Sequence, residues 1–72
     1  MLRYSPGMLI ANDVGKVVTL DFPDRFKITG MLLGFEVIKG GNHGTELHIG
    51  NKVFLILNSE ADHVWIDFPM SR

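Results

Sequence analysis

Seventy-two residues suffice for one domain, near the lower limit for a chain that must build its own core. The absence of cysteine excludes disulfides and thiolate metal centres, so apolar burial must carry the fold, helped by association with other chains. A net charge of −1 with 46% hydrophobic and 21% charged residues describes a globular chain and argues against a strongly basic nucleic-acid binder.

Residues 1–39 carry five Lys/Arg and four Asp/Glu, against two and four in residues 40–72, so any basic face belongs to the first half. The apolar run Met8-Leu9-Ile10-Ala11 is too short for a signal-peptide core or a membrane span, which makes the expected location cytoplasmic. One domain is expected over 1–72, with residues 1–15 as an N-terminal segment and 16–68 as a barrel. In the segment, Ser5-Pro6 has the form of a helix start, with Ser5 as N-cap and Pro6 at the first helical position. Gly7 weakens such a helix, and an extended lead-in strand is the competing reading.

From Lys16 the apolar period is two: Val18, Leu20 and Phe22 share one face, and Pro23-Asp24-Arg25 predicts a tight reversal. A long second strand follows from Phe26 to Ile38. Its apolar residues start on the even face (Phe26, Ile28) and continue on the odd face (Met31, Leu33, Phe35, Val37), and Gly30 and Gly34 permit the bend between them. Lys39-Gly40-Gly41-Asn42-His43-Gly44 reads as a loop. A third strand, Thr45 to Ile49, turns Leu47 and Ile49 inward, and Gly50-Asn51 predicts a two-residue type II′ hairpin. The fourth strand, Lys52 to Leu57, is apolar on both faces, and we expect Val53, Leu55 and Leu57 inside. Asn58 to Asp62 predicts a single helical turn, and His63 to Phe68 the fifth strand, with Val64, Ile66 and Phe68 inside. The fold class expected is therefore all-β, a small five-stranded SH3-like barrel with a short N-terminal helix or strand.

Two stretches carry a likeness to a known family: Asp13-Val14-Gly15-Lys16-Val17-Val18-Thr19-Leu20 and Phe26-Lys27-Ile28-Thr29-Gly30-Met31-Leu32-Leu33-Gly34-Phe35-Glu36. They resemble the Sm-like family, in which an N-terminal helix precedes five bent strands and the second strand carries a glycine, apolar residues and Gly-Phe-Asp. The likeness covers residues 13–38. It implies an oligomeric, non-enzymatic binding module for single-stranded RNA, with Arg25, Lys27, Phe35, Lys39, Asn42 and His43 as contacts. It also implies ring assembly in which the fourth strand of one subunit pairs with the fifth of the next. Glu36 stands where the family has Asp, and Asn42 lies farther along than the family's base-holding Asn. The short basic turn between the last two strands is replaced by Asn58-Ser59-Glu60-Ala61-Asp62, which would repel phosphate.

The remaining candidate chemistry is thin. Glu46 and His48 share a strand face at a spacing compatible with metal ligands or an acid–base pair, although polar residues at alternate positions are also what a solvated face presents. The Gly40–Gly44 loop has no Walker-type lysine and no following helix, and no serine lies in an acyl-transfer motif. No catalytic residue, metal or cofactor is expected. The apolar surplus says more: with the barrel filled, Phe54, Ile56 and Trp65 would face outward as an interface for a homo-oligomer or another protein. The second functional reading is thus an SH3-like protein-interaction adaptor, such as an accessory protein of a phage or mobile element.

Overall fold

The computed structural model describes residues 2–39, 43–70 and 72. The chain is all-β, with six antiparallel strands in one open sheet: β1 (Leu2–Tyr4), β2 (Val17–Phe22), β3 (Phe26–Ile38), β4 (Gly44–Ile49), β5 (Lys52–Leu57) and β6 (Trp65–Phe68). Their order across the sheet is β1-β6-β2-β3-β4-β5. The described residues contain no helix long and apolar enough to cross a membrane.

β3 holds the two ends of the sheet together. Its first half pairs with β2, from Phe22↔Phe26 to Val17↔Met31, and its second half pairs with β4, from Leu32↔Ile49 to Ile38↔Gly44. The register slips between Leu32 and Gly34, and this bulge bends the strand and moves its inward side chains from even to odd positions. Leu32 is buried, while Phe26, Ile28 and Phe35 pack against the core. The change of face lies where Gly34 suggested it, but Met31, Leu33 and Val37 stay exposed rather than joining the core. Both halves then fold over one cluster: Val18, Leu20 and Phe22 from β2, Leu47 and Ile49 from β4, Ile56 from β5, and Val64, Ile66 and Phe68 at the end of the chain.

The turns follow their sequences. Arg25 N–H donates to the Phe22 carbonyl at 3.0 Å, with Pro23 leading and Asp24 at φ 64, a type II arrangement in which Asp24 takes the left-handed position. Gly50 has φ 61 and opens the β4–β5 hairpin as a type II′ turn requires.

Other expectations need correction. Residues 5–13 form no α-helix but two short 3-10 turns, Pro6–Met8 and Ala11–Asp13. Extended backbone at Leu9 and Ile10 separates them, and the Asp13 carboxylate takes the Ile10 N–H at 2.9 Å, which stops the turn from winding onward. The sheet is open and has a sixth strand, because Leu2–Tyr4 adds to β6 through the pairs Leu2↔Phe68, Arg3↔Asp67 and Tyr4↔Ile66. In β5 the faces are reversed. Ile56 is fully buried and Phe54 packs on the core, its ring stacked 5.5 Å from Phe26, whereas Val53, Leu55 and Leu57 face out. A strand that is apolar at every position carries no polar residue to fix its phase, so alternation alone could not decide between the two.

Gly44, expected in the loop, opens β4 instead, and β5 approaches it so closely that a Cβ there would lie 2.6 Å from the Ile56 carbonyl oxygen. Gly34 has open space at the same point. Gly44→Ala should therefore destabilise by roughly 2–4 kcal/mol, as overpacking against backbone does, while Gly34→Ala stays within about 0.5 kcal/mol. Thermal melts of the two variants check this, and equal melting temperatures would show that β4 and β5 do not approach as described.

Candidate interaction surface

The hairpin fixes what β5 offers to solvent. A two-residue turn closes on a hydrogen-bonded pair, here Ile49↔Lys52, and such pairs alternate along an antiparallel ladder. Leu47↔Phe54 and Thr45↔Ile56 follow, and the Asn58 N–H donating to the His43 carbonyl at 2.9 Å continues the series. Lys52, Phe54 and Ile56 therefore direct their backbone groups to β4. Val53, Leu55 and Leu57 direct theirs to the open edge, since β5 ends the sheet. The chain occupies one of these three positions itself: the Leu57 N–H donates to Glu60 Oε1 at 3.1 Å, and the Leu57 carbonyl accepts from the Glu60 N–H at 3.0 Å. Among the described residues, Val53 and Leu55 have no such cover. The two residues are 58% and 47% exposed, so a bare edge and an apolar stripe coincide.

The opposite side of the sheet is closed by charge. Arg3 on β1 grips Asp67 on β6 through two hydrogen bonds, Nε to Oδ1 at 2.8 Å and Nη2 to Oδ2 at 2.9 Å, and reaches Asp21 on β2 at 2.8 Å. Lys27 on β3 lies 3.7 Å from Asp21, so one ionic run crosses four strands. The Arg3 hydrogen bonds hold the Asp67 carboxyl below its ordinary value despite the opposing effect of burial. A second clamp sits under the N-terminal turns. Asp13, fully buried, accepts from Arg72 Nε at 3.1 Å and Nη2 at 3.0 Å, while Arg72 lies 4.0 Å over the Tyr4 ring and donates to the Met8 carbonyl. Burial alone would raise the Asp13 carboxyl, but the Arg72 and Ile10 hydrogen bonds and the charges of Arg72 and Lys16 outweigh it and hold the carboxyl low.

The expected RNA contacts do not come together. Arg25 and Lys27 stand at the start of β3, with Arg25 4.4 Å over the Phe22 ring and 3.9 Å from Glu60. Lys39 and His43 lie at its far end, Phe35 packs inward against the core, and Asn42 falls outside the described residues. Of the described lysines and arginines, only Lys39 and Lys52 have no carboxylate within ion-pair reach. The expected interface residues divide as well: Phe54 and Ile56 belong to the interior, while Trp65 is half-buried beside Phe22, Pro23, Asp24, Asp62 and His63 in a shallow depression, with Arg3 5.6 Å over its ring. Glu46 and His48 meet at 2.7 Å on the outer face, beside an open depression of about 480 Å³ lined by Gly34, Glu36, Lys52 and Val53. No cluster of three metal-ligating side chains occurs among the described residues.

Comparison with protein-family models, curated proteins and solved structures finds no match to this chain. The surface therefore rests on its own geometry. The outward stripe of β5 was missed in the sequence although its signal was present: Ile49 and Leu47 face in, and residues directly opposite across a hairpin share a face. The two ion clamps join residues 64 and 59 positions apart and leave no local pattern.

Both clamps predict acid sensitivity. Asp13 and Asp67 have an ordinary value of 3.8 and lie below it in the folded chain, so near and below 3.8 the unfolded chain binds more protons. Their contribution is complete above that value and is lost as pH falls through the depressed folded values. Urea unfolding should show a plateau above about pH 5 and a decline below about pH 4, and Asp67→Asn should lower the plateau and flatten the decline. An acid limb identical in wild type and Asp67→Asn would remove this pair as a source of the pH dependence.

Proposed function

We propose that the chain is a non-enzymatic association module that joins protein chains, its own copies first, through the edge and outer face of β5. The observation that carries this reading is the six-residue edge strand whose central outward residues, Val53 and Leu55, combine exposed apolar side chains with uncovered backbone groups. Natural sheets blunt their edges with short strands, inward charges or covering loops, and a long bare one is a template for strand addition. The other edge meets that rule, since β1 is three residues long and has Arg3 at its centre.

The order β6-β2-β3-β4-β5, with a long bent β3 shared between two half-sheets, supports reading the fold as Sm-like. Sm-like assembly in its usual form would pair β5 with the β6 edge of a neighbour. Here that edge is taken by β1, so a different contact is needed. An RNA role gains less support, because Arg25 and Lys27 already face carboxylates of the chain and stand at the opposite end of β3 from Lys39 and His43.

Size-exclusion chromatography with light scattering, run with and without a pool of mixed single-stranded RNA, tests the reading. The expected result is a concentration-dependent mass above that of one chain, unchanged by RNA. A chain that remains monomeric alone but gains mass with RNA would replace this reading with the nucleic-acid one.

A further inference from the structure

We infer that two copies of this chain join β5 to β5 as an antiparallel two-fold pair centred on Phe54, a geometry that rests on the association reading above. The backbone sets the register. Each β5 offers the outward N–H and C=O of Val53 and Leu55, while those of Leu57 are held by the Glu60 side chain and amide. In an antiparallel pair, outward-directed residues must meet outward-directed residues as hydrogen-bonded partners. Placing Val53 opposite Leu55 of the second copy, and Leu55 opposite its Val53, uses all the free groups on both strands. A register centred on Leu55 would set Val53 against the occupied Leu57 and waste half of them.

Side chains agree with the backbone. In this register Val53 and Leu55 of each copy sit beside Leu55 and Val53 of the other on the outer face, so two exposed stripes become one apolar cluster. Phe54 meets Phe54 across the two-fold axis on the inner face, each ring already seated on Phe26 of its own chain. Charge closes the ends. Leu57 lies opposite Asn51 of the second copy, which brings Glu60, held at Leu57, to within one residue of its Lys52, so a carboxylate and an ammonium approach each other at both ends by symmetry. The pairing stops there, because the Glu60 cap leaves no further backbone group at Leu57. A second copy therefore fits this edge in length, pattern and charge.

Amide hydrogen exchange on the wild-type protein reads the geometry directly. Lys52, Phe54 and Ile56 amides should be protected at every concentration, and Leu57 should not change. Val53 and Leu55 amides should slow by about tenfold or more as the protein is raised from about 10 µM to about 1 mM. Disulfide trapping then tests the register, since the chain has no cysteine of its own. Val53→Cys and Leu55→Cys should cross-link when mixed, where the Cα atoms lie about 5.5 Å apart, and neither should cross-link alone, where they are separated by more than about 7 Å. Cross-linking of Leu55→Cys with itself would overturn the register. An oligomer whose Val53 and Leu55 amides stay unprotected would overturn the β5 pairing and leave self-association standing. A monomer at about 1 mM would overturn both and leave the edge to a strand of another protein.

Discussion

The pairing of Ile49 with Lys52 across the Gly50-Asn51 turn is the constraint from which the surface of this molecule follows. It decides in one step which side chains of β5 enter the core and which backbone groups of β5 remain without a partner. Had the turn taken in Lys52 as a third residue, so that Ile49 paired with Val53, every side chain of the strand would change face, and Val53, Leu55 and Leu57 would fill the interior. Ile56 would then lie in solvent, and Phe54 would lose its stack on Phe26. Gly50 makes the short turn possible by holding φ 61 without a side chain to oppose it.

Charge plays the complementary part on the far side. β1 has three residues and little apolar surface to offer, so ladder hydrogen bonds alone would hold it weakly. Arg3 adds a bidentate grip on Asp67, a carboxylate shielded from water, and the further contact with Asp21 binds the same guanidinium to β2. Asp13 and Arg72 do the same for the turns between β1 and β2, with Tyr4 and Phe68 forming the aromatic wall beside the pair. These are costly groups to bury, and each is satisfied: no buried side-chain polar atom among the described residues lacks a partner. A chain this small uses them as staples in place of the disulfides it lacks.

Much of the framework was legible in the sequence. Period-two alternation placed Val18, Leu20 and Phe22 inside, and the Pro23 and Gly50 turns fell where expected. A bend in β3 was legible from its glycines, but the parity of its apolar residues misplaced the change of face: Leu32 is still buried on the even side, and Met31, Leu33 and Val37 stay exposed. The N-terminal segment misled because Ser5-Pro6 starts a helix and a single 3-10 turn equally well, and only the reach of the Asp13 carboxylate to Ile10 separates them. β5 misled for another reason. Its own residues are uninformative, and the deciding fact sat in its neighbour, so the strand had to be read together with β4. The expected RNA contacts were chosen by charge and by family likeness. Of these, Arg25 faces Glu60, a carboxylate far away in sequence, and Lys27 faces Asp21 across the β2–β3 turn.

Because β1 covers β6, that edge of the sheet ends in a three-residue, ion-paired strand instead of in β6 itself. A small β domain with two bare edges can add copies at both ends without limit, and that is the geometry of fibre growth. With that edge reduced to a short, ion-paired strand, the β5 pairing proposed above would close on itself and leave only β1 to add a further copy. Arg3 and Asp67 would then do more than hold a strand in place: they would limit end-to-end addition in a chain with 46% hydrophobic residues.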